Sequence, residues 1–341
     1  MDYQLRETQK EGCLFGGGLF ICAYGIAIAG SCAIICYYLM KEEDGMERRR
    51  LAMGYCLVIF SAVLFGCMPL LVKGIYADGV NSLSVVLLRN LLSAPAVIAI
   101  AYLQRKSLKI PVKALPDIAA IGIGGCCVTP VILFSSYFFM DSGTAMVLHF
   151  VYPAAVLVGG ALFYRERVSI GALISIVICF LGISQFYTPG APLDWRGGAL
   201  AILSGFSYAA YILMLSHFKY KEITGFLLNA YIFSINSVVL FIICAVTGML
   251  TFPVTLTGWI YSLILALCVN LGAVSMFQMG TRIIGGQKAA ILSTMEPTTS
   301  VFVGILVFHE VITLRTAIGS ALVIVASILI VLLGSKEEKQ A

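Results

Sequence analysis

Most charged side chains of this sequence lie in loops and tails, so the few ionisable groups inside long apolar runs, and the polar residues beside them, demand a chemical account. Glu296 precedes Pro297, with Ser293 three residues before it and Ser300 four residues after it. On a helix those three share one face, and proline leaves a carbonyl unpaired one turn earlier. A carboxyl there could touch a solute, exchange a proton, or brace the proline kink. Arg89 lies beside Asn90 in another apolar run and could line a cavity, pair with Glu296, or grip carbonyls as a brace. An ionisable group at a helix centre costs about 2.5–3.5 kcal/mol to insert, so each needs such a reason. Ser204, Ser207, Tyr208 and Tyr211 follow i, i+3, i+4, i+7 spacing, one helical face. They suit a cavity wall, although small hydroxyls also serve as packing between helices. Asn270 and Gln278 in one run, and Thr129 with Tyr137 in another, are weaker candidates.

Nothing in the sequence suggests an enzyme. There is no Gly-x-x-x-x-Gly-Lys loop for a nucleotide, no Gly-x-Ser-x-Gly, and His309-Glu310 lacks a second zincin histidine. With three histidines and no Cys-x-x-Cys pair, no metal is expected. No cofactor is expected either. The eleven cysteines lie almost wholly inside apolar runs, where thiols act as small hydrophobes.

These residues are positioned by a membrane bundle. Of 341 residues, 60% are apolar and 11% charged, and the mean hydropathy is +0.99. A soluble chain carries about 25% charged residues. A secreted domain, a nucleic-acid binder and a disordered chain are thereby excluded. Apolar runs of helical length lie near 13–40, 52–73, 81–103, 115–138, 142–163, 168–187, 197–216, 223–247, 256–277, 284–308 and 313–334. The run at 13–40 precedes the other ten; Ala27-Ile28-Ala29 resembles a signal cleavage site, but the run continues to Met40 and favours a retained anchor. Counting loops from the run at 52–73, one set of alternate loops holds sixteen lysines and arginines and the other only Lys73, Arg196 and Arg315. The positive-inside rule puts the first set, and the C-terminus, in the cytoplasm.

Residues 145–174 align without a gap on 289–318 at an offset of 144. Pro153 matches Pro297, and Glu166 matches Glu310, thirteen residues after the proline in both copies. Tyr152 is then the counterpart of Glu296, and His149 of Ser293, so polar residues of both copies meet at mid-depth. Five helices per copy invert the second, as in secondary transporters with a midplane site. Glutamates repeated on opposite faces suit capping or loop bracing more than directional chemistry. Ser169 and Thr313 stand where helix caps belong. Ser175, Cys179 and Gly182, with Gly319 and Ala326 opposite, form a small-residue packing stripe without an ionisable group.

The segments from Pro153 to Glu166 with Arg167-Val168-Ser169, and from Glu296-Pro297 to Glu310 with Val311-Ile312-Thr313, resemble the EamA-type domains of the drug/metabolite transporter superfamily. Leu64-Phe65-Gly66 and Leu88-Arg89 are similar to further motifs of that family, with Phe65 where it has tryptophan. The resemblance implies an all-α integral membrane protein, a ten-helix inverted-repeat (5+5) bundle, to which this sequence adds one N-terminal helix. The expected domains are 1–50 (tail, extra helix and basic loop), 51–187 and 196–334 (the two repeats) and 335–341 (cytoplasmic tail). The expected function is secondary transport in the cell membrane, exporting a small metabolite or amino acid by alternating access. Facilitated diffusion, a membrane-embedded enzyme and a scaffold are the alternatives. The expected partners are a small-molecule solute and the lipid bilayer, with a homodimer allowed and no nucleic acid.

Overall fold

The computed structural model describes residues 46–105, 108–140, 142–185, 194–223, 225–296, 298–299 and 314–337. The run at 13–40, Pro297, Ser300 and Glu310 lie outside them, as does Thr313. The described residues are helical and contain no strand. We label the helical elements α1 (Arg49–Tyr76), α2 (Ser82–Arg105), α3 (Val112–Ser136), α4 (Thr144–Tyr164), α5 (Ile170–Ser184), α6 (Trp195–Ser216), α7 (Gly225–Thr247), α8 (Leu256–Ile284), α9 (Gly286–Leu292) and α10 (Leu314–Glu337). Seven of the described helices are long and apolar enough to cross a membrane.

The polarity pattern is that of a protein in lipid. Leu103, Leu162, Phe163, Ile170 and Val246 point outward and are more than two-thirds exposed, while Arg89, Asn90, Asn229, Asn236, Asn270, Gln278 and Glu296 are buried. Apolar side chains cost nothing against lipid tails, whereas polar groups must find partners inside. Helices pack as α1 on α8, α3 on α6, α2 on α7 and α5 on α10. The α5–α10 contact uses the small-residue stripe: a Cβ on Gly182 would lie 2.9 Å from the Gly319 carbonyl oxygen. The described cysteines other than Cys56 are free thiols; Cys56 is disulfide-bonded, unlike the all-thiol expectation.

Two departures from regular α-helix recur in both halves. Gly122–Val128 in α3 and Leu265–Ala273 in α8 are wide π-helical turns. The 144-residue offset carries the first onto 266–272, inside the second. Such turns free carbonyls and recur at functional positions. In α3 the Gly124 carbonyl accepts the Thr129 N–H across the wide turn and also the Ser207 hydroxyl of α6 at 3.1 Å. The helix also breaks at 150–151 in α4 and at 293–294 after α9. The α4 break stands one turn ahead of Pro153, whose missing N–H leaves the His149 carbonyl without its helical donor.

One end of the bundle carries Lys109, Lys113, Arg165, Arg167, Lys219, Lys221 and Arg282; we term it the basic end. Arg282 donates to the carbonyls of Ile223 at 2.6 Å and Tyr220 at 3.2 Å, and Tyr231 Oη donates to the Leu108 carbonyl at 2.8 Å. At the opposite end the Thr255 N–H donates to Asp78 Oδ2 at 2.9 Å, and Asn81 Nδ2 to the Met249 carbonyl at 2.6 Å.

Candidate functional site

A cavity of about 50 Å³ lies in the middle of the bundle. Its walls are Phe65 and Met68 of α1, Arg89 of α2, residues from Gly125 to Leu133 of α3, Met146 and His149 of α4, Tyr208 and Tyr211 of α6, Val274 and Phe277 of α8, and Glu296. That volume holds a few waters. A solute site spans about 300 Å³ or more, so admitting a solute requires the helices to part.

Glycines set two of the close approaches. A Cβ on Gly66 would lie 2.7 Å from the Glu296 carbonyl oxygen, and one on Gly205 would lie 2.5 Å from that of His149. These contacts seat α1 against Glu296 and α6 against His149. The Glu296 carboxyl lies on the cavity wall, and among the described residues no hydrogen bond or ion pair reaches it. His149 Nδ1 lies 2.8 Å from Ser204 Oγ. The Ser204 hydroxyl donates to the Ala201 carbonyl at 2.6 Å, so it accepts from Nδ1–H. The other ring nitrogen of His149 is then a bare acceptor.

Arg89 lines the cavity and is also braced. Its Nε and Nη2 donate to Asn270 Oδ1 at 3.0 and 2.7 Å. Asn270 Nδ2 returns to the Arg89 carbonyl at 3.0 Å and Ser93 Oγ at 2.8 Å. The π turn of α8 thus holds the cation of α2, and Arg89 forms no ion pair with Glu296. On the basic-end side the cavity floor is aromatic. The Tyr208 ring lies 4.8 Å from Tyr152, 5.5 Å from His149, 5.6 Å from Tyr211 and 5.8 Å from Phe277.

Of the residues singled out from the sequence, the cavity brings together Glu296, His149, Arg89, Thr129, Tyr208 and Tyr211. The others play different parts. Ser204 and Ser207 do not line it; they bond to His149 and to Thr129, the latter at 2.8 Å. Asn270 stands behind Arg89. Tyr152 and Ser293 are fully buried and bonded to each other, Oη to Oγ at 2.7 Å. Glu166 is not a helix cap: Ser169 Oγ accepts the Ala172 N–H at 3.0 Å in that role. The Glu166 carboxylate instead meets His217 Nε2 at 3.3 Å and accepts from Gln287 Nε2 at 2.6 Å.

Phe65, Met68, Gly125, Cys126, Pro130, Leu133, Met146, Val274 and Phe277 escaped sequence reasoning, because an apolar residue in an apolar chain carries no signal. The repeat offset, extended beyond 145–174, would have found several. A shift of 143 carries Phe65 and Met68 onto Tyr208 and Tyr211, and 144 carries Pro130 and Leu133 onto Val274 and Phe277. All eight line the cavity.

Comparison with known proteins agrees with this duplication. The EamA-like transporter family matches twice, at residues 52–188 and 195–332. An uncharacterized transporter, YcbK, of Bacillus subtilis is 24% identical over 82% of this chain and 93% of its own length. An uncharacterized transporter of Archaeoglobus fulgidus is 26% identical over 80% and 93%. The uncharacterized inner membrane transporter YicL of Salmonella typhimurium is 26% identical over 59% and 67%. A solved crystal structure superposes with a TM-score of 0.67 at 16% identity, covering 83% of this chain and 98% of that one. At that identity the likeness is one of fold.

Proposed function

Since the chain belongs to the EamA-like transporter family, we propose that it is a secondary transporter that exports a small metabolite or amino acid through the cavity at Glu296. The protein is a multi-pass membrane protein, and its relatives are named transporters. One observation carries the finer reading: both halves contribute walls to one cavity from matched positions, and a carboxyl without a partner among the described residues faces it. An inverted 5+5 repeat produces that arrangement and supports alternating access. The cation in the wall is already bonded to Asn270, so Glu296 is the group free to respond to a solute or a proton. The walls of Tyr208, Tyr211, Phe65 and Phe277 accept an amphipathic solute.

Orientation follows the charges. With the basic end in the cytoplasm, α1 enters from inside and the C-terminus returns there. An impermeant reagent reaching a single cysteine at Lys109 from outside would reverse this assignment.

Glu296→Gln keeps size and hydrogen bonding but cannot ionise. The Gln variant should fold and lose the response of solute flux to an imposed pH gradient. Untargeted metabolite profiling of cells with and without the protein supplies the solute, and flux into proteoliposomes then compares wild type with the variant. Equal rates and equal pH dependence would make Glu296 a structural brace and favour facilitated diffusion. A solute that never redistributes would sink transport itself.

A further inference from the structure

Two layers of side chains cross the middle of the molecule, and the 144-residue offset exchanges them. His149 and Glu296 form one layer, and both face the cavity. Their counterparts, Ser293 and Tyr152, form the other, which is shut by the 2.7 Å bond between their hydroxyls and fully buried. Three residues separate the layers along α4 and again from Ser293 to Glu296, and each span crosses a helix break. The Tyr152–Ser293 layer is the one toward the basic end, because α4 runs toward that end and α9 starts from it.

An independent observation lies on the same side. Gln278 follows Phe277 of the cavity wall and sits beside Tyr211. Its amide nitrogen is within reach of the Tyr211 hydroxyl, but its amide oxygen is buried without a hydrogen-bond partner, and so is Thr281 Oγ1 one turn further on. Inside a membrane such groups must normally be satisfied within the protein, because lipid offers nothing, and a buried polar group left bare is costly. An amide oxygen and a hydroxyl left without partners here are explained if they are hydrated or bonded to solute in another state.

We infer that Tyr152, Ser293, Gln278 and Thr281 line a second solute-facing surface, closed here, that opens toward the basic end when the Tyr152–Ser293 bond parts. This rests on the alternating-access reading above. Hydroxyls and a carboxamide make it a neutral surface, suited to a solute's uncharged donors and acceptors, whereas the surface now facing the cavity carries the Glu296 carboxyl. Opening one surface closes the other, so His149 and Glu296 approach as Tyr152 and Ser293 separate.

The test reads accessibility and needs no solute. In the full chain, with native cysteines replaced, Thr281→Cys or Met146→Cys is exposed to an impermeant maleimide applied at the basic end or the opposite end. Tyr152→Phe and Ser293→Ala each remove the closing bond while keeping the packing volume nearly unchanged. Either should raise labelling of Thr281→Cys from the basic end about fivefold, the population shift for one typical hydrogen bond. Each should lower labelling of Met146→Cys from the opposite end. Gln278→Leu, if merely a packing residue, would leave solute flux unchanged; on the present inference it slows flux.

No labelling of Thr281→Cys in any variant, or a parallel rise at both positions, would overturn the inference. Reciprocal labelling with no solute flux would leave the second surface standing and refute transport. Flux with Thr281→Cys always protected would do the reverse.

Discussion

The two π turns compare the halves of this molecule at matched places in the repeat. In α3 the turn at Gly122–Val128 presents Gly125 and Cys126 to the cavity. In α8 the turn at Leu265–Ala273 aims Asn270 away from it, to hold Arg89. Cys126 and Asn270 occupy the same place under the 144-residue offset, yet one is wall and the other is scaffold. The duplication therefore supplies the frame, and the departures from it supply the chemistry. Arg89, His149 and Glu296 have no like residue at their counterpart positions, which are hydrophobic or carry hydroxyls.

The comparison breaks first at Asn270. Asn270→Leu would strand two N–H donors of a fully buried guanidinium; hydrogen bonds to charged groups contribute about 1.5–3 kcal/mol. We expect a loss of about 3 kcal/mol, read as a steep fall in folded protein recovered from membranes. Cys126→Ala, at the matched place, removes only a small buried group and should cost about 1 kcal/mol or less. Equal losses at both positions would mean that the halves are not specialised as described.

Next in size is the glycine of the α3 turn. A Cβ on Gly125 would overlap the Tyr211 ring, while one on Gly124 meets only Met214 Cε at 3.6 Å. Overpacking costs about 1–3 kcal/mol, so Gly125→Ala should destabilise by about 2 kcal/mol and displace Tyr211 from the cavity wall. Gly124→Ala should be nearly neutral. Thermal unfolding in detergent separates the two, and equal melting temperatures would show that the turn yields freely.

How far the sequence foretold this site follows from the same asymmetry. Polar residues in apolar runs stand out, so Glu296, Arg89 and the tyrosines of α6 were legible from type and spacing alone, and His149 from its place in the repeat opposite Ser293. What the sequence could not reveal was direction. Ser204 and Tyr208 share one helical face, but only the longer side chain reaches the cavity, and the serine spends its hydroxyl on Ala201 and His149. Tyr152 was identified as the partner of Glu296 by alignment, whereas its bond to Ser293 depends on where the α4 break points it. Phe65, Met68 and Phe277 gave no local signal, since contrast is what marks a residue and they have none. The seven long described helices were plain from length and hydropathy, whereas the run at 284–308 is broken at 293–294, and the π turns were hidden because no residue type specifies one.

The smallest expected effect is at the basic end, where the halves touch through Glu166. Its carboxylate folds back over Gly160, a place a Cβ would fill at 2.5 Å from Oε2, and reaches His217 and Gln287 of the second half. His217 is also stacked on Tyr164 at 3.6 Å between ring centroids. The Glu166 and His217 side chains are 24% and 32% exposed, so water screens the pair. Ion pairs in such settings contribute about 0–1 kcal/mol, and the Gln287 amide can still donate to a neutral side chain at 166. Glu166→Gln should therefore shift the melting temperature by less than about 3 °C. Gly160→Ala should cost more, because it evicts the carboxyl and breaks both contacts at once. A Gln variant that melts as low as the Asn270→Leu protein would instead show that the charge at 166 is buried and essential, and that the halves are joined by electrostatics at this end rather than by packing along α5 and α10.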